Sequence, residues 1–269
     1  MINIIRADLY RIVRGKAVYI TFAVMMLVVL LSVFVFRAMP SVTIAETEAM
    51  AHMNESSMPE LPDAMNGAFA ARMVMSSMET MVYFFLPLII AVAMAMFSTG
   101  AVKNELSTGL DRTKLYFSKF VLSFALCVVF MLLYVFSTVL LATLLDGIGY
   151  WGDGLLLDLL KDFGALMPLV LAFNSVGMFF CFVTRRTAAV NGLYIALLLV
   201  PTIVVSLLSL AFPEAVRYFD YDLFNQFHIL LPVSNLTATE LARSFAVCLA
   251  FIVVPTLAGV GLFRRAEIK

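Results

Sequence analysis

"TGAVKNELSTGLDRTKLYFSK", Thr99–Lys119, sets Lys103, Arg112, Lys114 and Lys119 against Glu105 and Asp111. Apolar runs flank it, Met81–Ser98 before and Phe120–Leu145 after, and neither holds an Asp, Glu, Lys or Arg. A helix needs about 20 mainly apolar residues to cross about 30 Å of hydrocarbon at about 1.5 Å per residue. The stretch therefore reads as a polar connection between two membrane-crossing helices. Four more segments qualify, Ala17–Phe36, Ala165–Val183, Ala188–Phe212 and Phe245–Phe263, again without an ionisable acid or base. They lack the alternation of a barrel strand and run about twice its length, so helices are the reading. Composition agrees: 63% of the 269 residues are hydrophobic and 13% charged, where a soluble domain has about half and about a quarter. The expected fold is an all-α integral membrane protein with six transmembrane helices in a single domain, 1–269.

Lys and Arg set the orientation, because short cytoplasmic loops hold the excess of positive charge. Thirteen of the 18 fall before the first segment, in the 99–119 loop, after the fourth segment and in the C-terminal tail; Arg37, Arg72, Lys161, Arg217 and Arg243 fall on the other side. Both termini are therefore expected to be cytoplasmic, with 37–80 and 213–244 outside. The basic leader before Ala17 resembles that of a signal peptide. Its apolar run is longer than the usual 7–15 or so of a cleaved signal, so a retained signal-anchor helix is expected.

The chain shows no catalytic motif of its own. Its Gly-Lys dipeptide, Gly15-Lys16, precedes Ala17 and lacks the spacing of a nucleotide-binding P-loop. The histidines, His52 and His228, sit in different outside loops, and no G-x-S-x-G occurs. The absence of charge inside the segments argues against an ion-driven carrier. Cys127, Cys181 and Cys248 lie in different segments and read as packing residues. Asn174 and Asn191 are the strongest polar groups within the membrane; they either hydrogen-bond a neighbouring helix or line a path.

Within the opening stretch, Val102, Leu106 and Leu110 recur at i, i+4 and i+8, one helical stripe. Gly109 is placed to end that helix, and Asp111 to cap a second one that leads into the third segment. Two readings follow: a membrane-surface helix with snorkelling cations, or a docking knob for a soluble partner.

"VKNELSTGLDRTKLYFSK" resembles the cytoplasmic loop of type-2 ABC exporter permeases. Glu105, Gly109, Arg112, Tyr116 and Lys119 match that loop's acid, small turn, Arg, aromatic and Lys in order and spacing. The leader, 1–16, is similar to the family's amphipathic surface helix, and 213–244 to its re-entrant helices before the sixth span. The resemblance implies a half-transporter that pairs with a second permease, identical or related, and with two ATPase subunits that bind ATP-Mg. It makes 99–119 the coupling loop, with Val102, Glu105, Leu106, Gly109, Leu110, Arg112, Tyr116 and Lys119 as coupling residues. Glu105 and Arg112 would be the polar contacts, and Leu106 and Leu110 the apolar anchors. Coupling would be a shift between inward-closed and outward-open populations driven by ATP binding to the partner. The chain itself then needs no catalytic residue, cofactor or metal, and no nucleic acid is expected as a partner.

Cargo is read from the outside segments. Nine of the 17 methionines fall between Met39 and Met81. Such a segment reads as an adaptable surface for amphipathic partners, a Cu(I) site with His52, or a helical hairpin that packs on the spans. Tyr218, Phe219, Tyr221, Phe224 and Phe227 suit an interfacial aromatic belt, and Pro201 and Pro255 fall within helices they can kink. The expectation is an exporter of hydrophobic or amphipathic compounds, peptides of the antimicrobial, bacteriocin or phenol-soluble-modulin kind being favoured. The alternatives are a membrane peptide sensor or immunity scaffold working with an ATPase, and a copper exporter. A multi-pass place in a bacterial cytoplasmic membrane is expected.

Overall fold

The structure, a computed structural model, describes residues 2–38, 66–98, 111–152, 154–231, 233 and 236–265. Helix α1, Ile2–Arg14, turns at Gly15 into α2, Lys16–Ala38. Met25, Val29 and Val33 form a fully buried i, i+4, i+8 stripe along α2, while Tyr19, Leu27, Leu31 and Phe34 are exposed. One face packs and the rest presents apolar side chains outward, as a helix does at the rim of a bundle in lipid.

Helix α3, Gly67–Ser76, is capped by Asn66, whose Oδ1 accepts the Phe69 N–H at 3.0 Å. Its first two N–H groups donate to Gly147 O and Ile148 O at 2.9 and 3.0 Å. Gly67 is required there, because a Cβ would run into Thr143 and the Ile148 carbonyl. A 3₁₀ turn, Met78–Thr80, leads into α4, Met81–Ala93, and α5, Ala95–Ser98. Helix α6, Arg112–Asp146, starts at the expected cap: the Asp111 side chain accepts the Thr113 N–H at 3.0 Å. Helix α7, Leu155–Thr184, and α8, Thr187–Ala211, are joined by only Arg185 and Arg186, with Arg185 left-handed at φ 53°. A 3₁₀ helix, Pro213–Tyr221, and the short α9, Gln226–Leu230, precede α10, Ala238–Arg265.

Six of these units are long and apolar enough to cross a membrane: α2, the stretch Met78–Phe97, α6, α7, α8 and α10. Helices α4 and α7 are mostly buried in the middle, whereas α2, α8 and α10 are mostly exposed. The three cysteines are buried and free.

Two boundaries differ from the sequence reading. Helix α7 begins ten residues before Ala165, because Asp158, Lys161 and Asp162 do not interrupt it. Asp158 and Lys161 pair at 3.0 Å one turn apart, and Asp162 Oδ1 accepts the Val233 N–H at 2.9 Å. Helix α10 begins at Ala238 rather than Phe245, on a capping box in which Thr237 and Glu240 exchange hydrogen bonds. The 213–244 segment is accordingly a short 3₁₀–turn–α piece. Tyr218 and Tyr221 are exposed, but Phe227 is core and stacks on Phe173 at 5.7 Å.

The Met-rich stretch is described only from residue 66 onward. Met75, Met78 and Met81 are buried in the core there, the packing alternative for those three. His52 and the methionines from Met39 to Met65 lie outside the described residues.

Candidate functional site at the feet of segment 99–110

One end of the bundle gathers α1, the end of α5, the start of α6, the α7–α8 turn and the end of α10. Segment 99–110 leaves from α5 and returns to α6 at this end. Val102, Glu105, Leu106, Gly109 and Leu110 lie outside the described residues. Arg112, Tyr116 and Lys119, one turn apart on α6, lie inside them, and each has a different role.

Arg112 Nη1 donates to the carbonyls of Phe263 and Arg264 at 3.2 and 2.9 Å. The last carbonyls of a helix have no partner within it and carry its negative end. A guanidinium in the first turn of α6 thus closes the last turn of α10.

Tyr116 has no exposed surface. Its ring lies 4.7 Å from that of Phe182 and stacks at 6.3 Å on Phe120. Phe182 also meets Phe263 of α10 edge-on at 4.8 Å and Phe97 of α5 at 5.5 Å. Both feet of the segment, Phe97 before it and Tyr116 after it, therefore rest on one phenylalanine of α7. Edge-to-face and offset pairs of this kind add about 0.5–1.5 kcal/mol beyond the area they bury. The Arg185 guanidinium lies 5.8 Å over the Phe97 ring, within cation–π range. Gly259 lets α10 approach: a Cβ there would lie 2.8 Å from Tyr116 Oη and 3.2 Å from its ring. The Tyr116 hydroxyl is buried with no hydrogen-bond partner among the described residues.

Lys119 is also wholly buried, and its Nζ reaches Asp8 Oδ2 of α1 at 2.5 Å. Asp8 Oδ1 accepts from Arg11 at 2.8 Å. Asp8 was missed in the sequence reading. The signal was present: Ile5, Asp8 and Ile12 share one face of α1, and Ile12 packs with Val92 and Leu122. An acid on the apolar face of a surface helix requires a partner in the body it packs on.

Tyr116 and Lys119 thus offer no surface to a soluble partner in this arrangement. Among the described residues of the motif, Arg112 alone stays partly exposed.

The two asparagines are not brought together. Asn174 is fully buried; its Oδ1 accepts from Ser123 Oγ at 2.6 Å, and its Nδ2 donates to Phe120 O at 3.2 Å. Its amide bonds α6 from α7, the helix-to-helix alternative. Asn191 is exposed near the start of α8.

No protein-family model matches the chain, and no curated protein matches it.

Proposed function

We propose that the chain is the transmembrane subunit of an ATP-driven exporter of the type-2 ABC kind, with segment 99–110 as the element that docks on a separate ATPase. One observation carries the reading. The feet of this segment are fixed to all the helices around them, through Phe182, Lys119–Asp8 and Arg112 on the end of α10. A push on the segment would therefore pass to α1, α5, α6, α7 and α10 together. A basic helix resting on the membrane would need no such seating.

The positive-charge excess supports placing this end in the cytoplasm, with both termini, α1 lying along the membrane surface, and the 213–237 piece at the outer face. The exporter works as a pair of permeases with two ATPases that carry ATP-Mg. Its cargo is hydrophobic or amphipathic, peptides being favoured, and its place is a bacterial cytoplasmic membrane. Arg112, Glu105, Leu106 and Leu110 face the ATPase, while Tyr116 and Lys119 transmit from within.

The test is co-purification of the ATPase and its cargo-stimulated turnover with Glu105→Lys and Leu106→Asp. A desolvated contact costs roughly 2–5 kcal/mol when one partner is lost, against about 0–1 kcal/mol for an exposed pair. Both variants are expected to insert and fold but to release the ATPase or leave it deaf to cargo. Parental retention and stimulation would return the segment to a surface helix.

A further inference from the structure

The end of the bundle opposite α1 holds a cavity of about 550 Å³ walled by α3, the start of α7 and α9. This volume lies within the range of small-ligand sites, about 300–1,000 Å³. Met75, Leu159 and Phe227 give it an apolar lining, and Arg72, Asp158, Asp162 and His228 supply its polar groups.

Two of these four polar groups are already engaged. His228 Nε2 lies 2.6 Å from Glu79, and Asp158 pairs with Lys161. The other two are not fully met. Arg72, on α3, is exposed and has no carboxylate partner among the described residues. Asp162, on α7, is 9% exposed and, among the described residues, accepts one hydrogen bond, from the Val233 N–H to Oδ1. Arg72 and Asp162 do not pair with each other. The cavity therefore has an exposed cation without a carboxylate partner among the described residues on one wall, a carboxylate with a single hydrogen bond among them on another, and apolar side chains around them.

We propose that this cavity binds a short apolar peptide by its two termini, the carboxylate at Arg72 and the ammonium at Asp162. A purely cationic amphiphile would leave Arg72 unmatched, and an anionic one would leave Asp162 unmatched. A ligand with opposite charges separated by an apolar body satisfies both walls. The proposal names the cargo class for the exporter reading and rests on it for that role; binding by the isolated chain is measured without the ATPase, so the two fail separately.

The experiment uses the full chain in phosphatidylglycerol nanodiscs, with trileucine, N-acetyl-trileucine and trileucine amide titrated by calorimetry. Charge-assisted contacts of this type predict that each cap weakens binding roughly tenfold or more. Arg72→Gln is expected to abolish the difference between trileucine and its amide while keeping the penalty for acetylation. Asp162→Asn, which retains an acceptor for the Val233 N–H, is expected to do the reverse. Equal binding of all three peptides, no binding of trileucine, or variants that do not separate the two caps would overturn the proposal. So would loss of trileucine binding when phosphatidylethanolamine replaces the lipid, which would make a headgroup the occupant.

Discussion

Lys119 of α6 and Asp8 of α1 form an ion pair across 111 positions of sequence, Nζ to Oδ2 at 2.5 Å, with Lys119 fully enclosed. Removing two charges from water is expensive, and the pair offsets that only while both members are present. Arg11 shares the carboxylate but not the lysine. The pair therefore fixes where α1 sits more than it adds net stability.

The first prediction follows from that asymmetry. Asp8→Leu alone, which strands the enclosed Lys119, is expected to destabilise the detergent-solubilised protein by about 3–5 kcal/mol, and Lys119→Met alone by less, because Arg11 still pairs with Asp8. The double variant should recover most of the loss, because both charges go together. Thermal unfolding of the three variants gives the comparison, and additive losses in the double would show that the two residues are not energetically coupled.

Gly259 and Tyr116 give the second. Gly259→Ala places a Cβ against the phenol, and overpacking of this kind costs about 1–3 kcal/mol. Tyr116→Phe removes a buried hydroxyl that lacks a partner among the described residues and is expected to be neutral or mildly stabilising. Combined, Tyr116→Phe should recover part of the Gly259→Ala loss, since the hydroxyl is the nearest atom met. Equal loss with and without Tyr116→Phe, read by thermal unfolding, would place the clash elsewhere.

A third prediction separates the two asparagines. Asn174→Leu removes two hydrogen bonds between α7 and α6 and leaves Ser123 Oγ only its bond to the Phe120 carbonyl, at about 1–3 kcal/mol. Asn191→Leu touches an exposed position and should stay within about 0.5 kcal/mol of the parent. Parallel melts of the two variants decide it; the reverse order would mean that Asn191 is covered in the assembled protein.

Asp222 provides a pH test. It lies outside the membrane-crossing helices, between Tyr221 and the turn into α9, and accepts from Thr202 Oγ1 of α8 at 3.2 Å. Burial pushes its carboxyl above the ordinary range, against the pull of Thr202 and the N–H groups of Leu223, Phe224 and Asn225. A raised carboxyl favours the folded state in its protonated form. Its contribution is complete below the ordinary carboxylate value of about 4 and is lost as pH rises through the raised value. Asp222→Asn should thus gain on the parent in melting temperature between about pH 4 and pH 7. A constant difference across that range would remove Asp222 as a titrating contact.

The hydropathic pattern made the six long helices legible, along with the Asp111 cap and the burial of the cysteines. It failed where a helix carries charge that the fold satisfies. Asp158, Lys161 and Asp162 read as lying before the apolar run that starts at Ala165, yet they bond within α7 and to Val233. Thr237 and Glu240 read as loop because they are polar, although their spacing is that of a helix start. The aromatic stretch illustrates the same limit of local pattern: composition places Phe227 beside Tyr221, but which ring turns inward depends on Phe173, 54 residues earlier. Lys119 was visible as a cation at a helix start, and its partner was not, since pairing across the bundle leaves no local trace.

The two-residue turn between α7 and α8 has a consequence for how the protein reaches its membrane. Arg185 and Arg186 leave no slack between Thr184 and Thr187, so neither helix can partition into lipid while the other stays in water. Helix α7 is the harder of the two to place, because it brings Asn174, a fully buried amide whose side-chain partners lie on α6. Helix α8 carries its amide, Asn191, near its start and exposed, so no enclosed amide awaits a partner there. The pair therefore inserts as a hairpin in which α8 anchors α7 until its polar partner on α6 is met.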